Sequence, residues 1–163
     1  MTRVLLVTGA RSLADDPAAE AWARGLIAAA LVGVDLLLVG DAPGPDAWAS
    51  RIQRDALRRV WCYRTHGPNA GWIDTAHCEE WDRLRLWADG VSRHPLKRNE
   101  MMVADAAGIM DAGDTVSVLA LLDGRKPAVV QPGEKRPTRG TEHTAGLARA
   151  AGLTVDAQTW GSR

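Results

Sequence analysis

The chain has no phenylalanine, one tyrosine and two cysteines among its 163 residues. It also has no net charge: 20 Lys and Arg face 20 Asp and Glu. Each shortage excludes something. Cys62 and Cys78 make neither a disulfide framework nor a CxxC pair, and read as reduced thiols of a cytoplasmic protein. A sequence-independent nucleic-acid binder carries a net basic surface. The charge balance therefore speaks against a polymeric nucleic acid as partner, while leaving room for a local basic site. No run is apolar for long enough to span a bilayer, so no membrane partner is expected. The apolar run at Val4–Val7 is too short for a signal peptide and lacks a small-residue cleavage site.

What is present is a globular balance, 46% apolar and 25% charged, which excludes a disordered or fibrous chain. The length suits a single domain with one real core. Seven Trp carry almost all of the aromatic content, so their placement needs an account.

Buried strands and helices alternate along the chain. Val4–Thr8 and Val34–Val39 are continuous apolar runs of the kind buried on both faces of a sheet. Asp16-Pro17 predicts a cap with Pro in the first turn of a helix reaching Leu31, with Trp22, Leu26 and Ala30 on one face. A second helix is expected from Asp46 to Arg58, with Trp48, Ile52 and Ala56 aligned, and then a strand from Val60 to Arg64. A helix near Pro95–Met110 turns Met102, Ala106 and Ile109 inward. Thr115–Leu122 is a strand, Ala128–Val130 a small ribbon, Thr141–Ala151 a helix and Leu153–Val155 a last strand. This alternation predicts an α/β fold, a Rossmann-like three-layer sandwich with a mainly parallel central sheet.

In such a sheet, ligands bind beyond the carboxyl ends of the strands. Three loops at that edge are marked. In the first, Gly9 permits close backbone approach, and Arg11 and Ser12 suit a phosphate. In the second, Gly40 and Gly44 are flanked by Asp41 and Asp46, whose oxygens suit ribose hydroxyls; Asp46 could equally cap its helix. The third, Arg139-Gly140-Thr141, opens a helix whose free amides favour an anion. Arg98 and Asn99 belong to the first turn of the Pro95 helix, beside the same edge. His66, His77, Cys78 and His94 match no standard zinc spacing, and neither a metal nor a cofactor is expected.

In this order and on these elements, the strand-TGARS, strand-GDAPGPD, EEWDRL, KRNEMM and TRGT segments resemble the YpsA/YspA-related branch of the SLOG superfamily. The resemblance runs from about Arg3 to Val155. It implies one nucleotide-binding domain over residues 1–163, with insertions near 66–78 and 124–137. It implies a small nucleotide or nucleotide-derived phosphorylated ligand, held by the loop residues named above, and a homo-oligomer such as a dimer. The same superfamily includes LONELY GUY-type phosphoribohydrolases and DNA-processing proteins that protect single strands. Arg98 matches the Arg that the hydrolases set beside the scissile bond. Two positions depart from the hydrolase pattern: Pro137-Thr138 replace two glycines, and Thr144 stands where a Glu is required. Glycosidic cleavage needs a carboxylate, and Asp46 is one candidate to supply it beside Arg98, with Glu142, Glu79, Glu80 and Asp82 as others. Trp81, in the long connection with Trp72 and Trp87, is a candidate to stack on a base or to plug the loop against the core.

Overall fold

The structure, a computed structural model, describes residues 1–63, 95–125 and 140–161. Five parallel strands form one sheet in the order β3-β2-β1-β4-β5. They are β1 (Arg3–Gly9), β2 (Leu36–Gly40), β3 (Arg59–Tyr63), β4 (Thr115–Asp123) and β5 (Thr154–Trp160). The helices are α1 (Pro17–Ala30), α2 (Pro45–Asp55), α3 (Pro95–Asp111) and α4 (Gly140–Ala150), and a 3-10 turn spans Arg11–Asp15. This is the Rossmann-like α/β architecture. The small Ala128–Val130 ribbon lies outside the described residues, as does most of each proposed insertion.

Strand alternation divides the core into two layers, because successive side chains point to opposite faces. Leu5, Val7, Leu37, Val39 and Leu119 pack with Ala19, Ala23 and Ile27 of α1 and Trp48 and Ala49 of α2. Val4, Leu6, Leu36, Leu38 and Val118 pack with Met102, Val103 and Ala106 of α3 and Ala148 of α4. A single strand thus needs apolar residues at every position, which is why β1 and β2 read as unbroken runs.

Three details differ from the sequence reading. On α1 the fully buried stripe is Ala19, Ala23 and Ile27, while Trp22, Leu26 and Ala30 are only partly buried beside it. Small alanines let the helix lie close to the sheet, and the bulky Trp22 turns to the flank, where its ring meets Trp160 at 5.5 Å. Helix α2 stops at Asp55, because Leu57 takes a left-handed φ of 57° that ends the helix. Strand β5 runs on to Trp160 and pairs in register as far as Asp123. Its exposed Asp156 and Thr159 break the apolar run beyond Val155: an edge strand needs apolar residues only where α4 covers it.

The order of the strands places a chain reversal at β1. β2 and β3 build outward on one side and β4 and β5 on the other. The carboxyl ends of β1, β2 and β4 therefore border the crevice where open α/β sheets bind ligands.

Candidate functional site

Gly40 ends β2 and forms the floor of a buried polar cluster. A Cβ there would stand 2.7 Å from Asp46 Oδ2 and 2.7 Å from Arg98 Cζ. Only glycine lets these two side chains meet over the strand end. Asp46 comes from the first turn of α2, and Arg98 from the first turn of α3, on the opposite layer. Both are almost fully buried, as is Asp41. Arg98 Nη1 donates to Asp41 Oδ1 in a buried ion pair, and its Nε donates to Asn99 Oδ1 at 3.0 Å. The guanidinium is thus held on two sides.

Asp46 is the second carboxylate beside that one guanidinium. Its Oδ1 is buried and, among the described residues, has no hydrogen-bond partner. Burial pushes its pKa from 3.8 up to about 7; Arg98 opposes the rise, Asp41 adds to it, and the Ala42 amide and Arg11 oppose it less strongly. Arg11 is exposed at the start of the 3-10 turn, so its charge reaches the cluster from the solvent side. Asp46 does not cap α2: the N-cap is Gly44, with no side-chain cap.

The glycines have an internal reason for being bare. The loop pattern alone predicts that the space above Gly9 and Gly40 receives a ligand. In the structure the Pro45 ring fills it at Gly9, and Asp46 and Arg98 fill it at Gly40. Gly44 adopts φ 79° and ψ −127°, a conformation open only to glycine, and tucks the second loop beneath the carbonyls of Ala10 and Arg11.

Ser12 belongs to a different cluster. Its hydroxyl donates to Asp123 Oδ2 at 2.6 Å. Asp123 also accepts from Arg125 Nε at 2.9 Å and Nη2 at 3.0 Å, and Arg125 Nη1 pairs with Asp16. The Arg125 hydrogen bonds, helped by Ser12, hold the Asp123 carboxyl down at about 2 despite its desolvation. Sequence reasoning missed Asp123 and Arg125. The signal was an Asp-Gly turn directly after a strand, at the edge where ligands bind.

The amino ends of α3 and α4 complete the edge. Asn99 Nδ2 lies 3.8 Å from where a Cβ on Gly140 would stand, and Glu100 Oε1 is 4.0 Å from His143 Nε2. Thr141 is buried. Thr144, at the position of the hydrolase Glu, is fully buried and its hydroxyl donates to the Gly140 carbonyl at 2.8 Å. Trp81 and Arg139 lie outside the described residues, as do Trp72, Trp87, Glu79, Glu80, Asp82, Pro137, Thr138 and the residues weighed for zinc. Among the described residues no group of three or more His, Cys, Asp or Glu is placed to hold a metal ion, and no helix is long and apolar enough to cross a membrane.

No known family model matches the chain, and no curated protein does. Among solved structures it is similar to the X-ray structure of DNA processing protein A from Streptococcus pneumoniae, at 13% identity and a TM-score of 0.48. The likeness covers 95% of this chain and 58% of that one, so the chain spans little more than half of that protein's length.

Proposed function

We propose that the chain binds a small nucleotide or nucleotide-derived phosphorylated ligand at the carboxyl edge of the sheet. The observation that carries this is continuity. Arg11 acts on Asp46, Asp46 and Arg98 meet over Gly40, Arg98 holds Asn99, and Asn99 faces Gly140 at the start of α4. Residues from four separate segments thus form one polar tract, bordered by the amino ends of three helices, which favour anions. The resemblance to the SLOG branch supports the same reading. So does the charge balance of the whole chain, which suits a small ligand better than a polymer.

Calorimetric titration with a panel of nucleoside mono- and diphosphates tests it. Arg11→Ala is the informative variant, because Arg11 is exposed and its loss should spare the fold. Binding is expected to weaken about tenfold, the value of one charge-assisted contact. No binding by any nucleotide, with a retarded single-strand oligonucleotide in a gel shift, would turn the reading toward single-strand DNA.

A second reading is favoured by Asp46. A buried carboxyl that titrates near neutrality beside an arginine is suited to proton transfer. If the chain cleaves the N-glycosidic bond of a nucleoside monophosphate, Asp46 takes the role that Thr144 cannot fill. Water then adds to the anomeric carbon as the base leaves with a proton. Chromatographic release of free base, abolished in Asp46→Asn, is the expected result of this reading; intact nucleotide after prolonged incubation rejects it.

A further inference from the structure

We infer that Asp46 takes up a proton when a phosphorylated ligand binds, so that the site binds ligand and proton together. This deepens the nucleotide-binding reading and rests on it. The geometry is a count of buried charges. Among the described residues, two carboxylates, Asp41 and Asp46, lie beside one buried guanidinium, Arg98, and all three are at most 7% exposed. Arg98 is already committed: Nη1 to Asp41 and Nε to Asn99. Asp46 is therefore the surplus acid of this cluster, and among the described residues its Oδ1 has no hydrogen-bond donor. The charged groups that act on Asp46 are Arg98 from α3, Asp41 from the β2–α2 loop and Arg11 from the 3-10 turn.

An anionic ligand at this edge adds negative charge next to a carboxylate that burial already disfavours. Like charges in a shared site push one carboxyl toward its protonated form. The ligand phosphate would also draw Arg11, the solvent-side cation that helps to keep Asp46 ionised. Both effects act in one direction. The protonated Asp46 then has a hydroxyl to donate, either to the ligand or within the cluster, and the repulsion is removed. By linkage, ligand affinity falls as pH rises through the range where free Asp46 loses its proton.

The test is calorimetry of the full chain with adenosine 5′-monophosphate, in two buffers of different ionisation enthalpy, from pH 5.5 to 8.5. Uptake approaching one proton per ligand is expected at pH 8, with little at pH 5.5, and affinity should be about tenfold weaker at pH 8 than at pH 6. The phosphate's own second ionisation, near 6, adds to the wild-type signal. It is common to an Asp46→Asn variant and cancels in the difference. That variant should bind more tightly than wild type at pH 8, without the extra proton. If it does not fold, titration with adenosine 3′,5′-cyclic monophosphate, whose phosphodiester does not titrate in this range, gives the uptake on the unaltered chain. Nucleotide binding with no proton exchange beyond the ligand's own overturns this inference and leaves the nucleotide-binding reading standing. Absence of any nucleotide binding overturns both.

Discussion

A carboxyl that keeps its proton up to about pH 7 in the folded chain, against 3.8 as its ordinary value, makes stability depend on pH. Between about pH 4 and 7 the unfolded chain has released this proton and the native chain retains it. The native state then binds more protons, so Asp46 lowers stability as pH rises through that window. Asp46→Asn removes this contribution. Its unfolding free energy relative to wild type should be least favourable near pH 4 and rise to a plateau above pH 7, by on the order of a few kcal/mol. Parallel melting curves for the two chains from pH 4 to 8 would show that Asp46 titrates normally. Asp41→Asn removes the buried, hydrogen-bonded carboxylate partner of Arg98, and should destabilise the fold by about 3 kcal/mol, measured by denaturant unfolding. Gly40→Ala should be costly too, by about 1–3 kcal/mol, because the added methyl collides with both Arg98 and Asp46. The sequence marked Asp41, Asp46 and Arg98 as separate candidates. It did not show that the two acids compete for one base, because that requires α2 and α3, on opposite layers of the sheet, to meet over the end of β2.

Among the elements, α1 was the most legible at its start. Asp16 accepts from Ala18 N at 2.9 Å and Ala19 N at 3.4 Å, as an Asp-Pro pair at a helix start predicts. Its inward stripe was less legible, since tryptophan outweighs alanine in any hydrophobic pattern. Close approach of helix to sheet selects the small side chain instead. Helical glycines with open space around them give an independent check on the fold. A Cβ at Gly25 of α1 or Gly108 of α3 would meet nothing within 4 Å. Gly25→Ala and Gly108→Ala should each stabilise the chain by about 0.5–1 kcal/mol, read as a higher denaturant midpoint. A loss of stability at either position would mean that the helix packs differently there. The 3-10 turn at Arg11–Asp15 was not legible. Its five residues carry a single buried apolar anchor, Leu13, too short a pattern to show a period.

At the scale of the whole molecule, the Ser12–Asp123–Arg125–Asp16 network ties the start of α1 and the 3-10 turn to the end of β4. Arg125 also covers Gly161, just beyond β5. At the carboxyl ends of β1 and β4 these groups satisfy one another. The Gly40 cluster, one strand away, keeps a buried oxygen that has no donor among the described residues. The proposed ligand site is accordingly assigned to the Gly40 cluster over β2, not to the reversal point itself. Asp123 titrates at about 2 when folded and 3.8 by its ordinary value. Its contribution is present above about pH 4 and is lost as pH falls toward 2. Asp123→Asn should therefore cost about 1 kcal/mol at pH 7, modest because Arg125 is partly exposed and its pairing is screened. The difference should vanish in melts near pH 2; a cost that persists there would point to packing alone.

The sequence by itself determined the parallel α/β architecture, the two-layered core and the edge at which polar residues gather. These follow from local chemistry: unbroken apolar runs, Asp-Pro and Gly-Pro punctuation, and the need of a parallel sheet for cover on both faces. Only the tertiary structure decided what the marked residues do to one another. It gave Ser12 to Asp123, filled the space over Gly9 with Pro45, and set Asp46 against the Arg98–Asp41 pair. Those pairings join residues 36 to 111 positions apart in the chain, and are fixed by the crossovers of the sheet. Burial then acts on the charges so assembled, and no spacing along the chain carries that information.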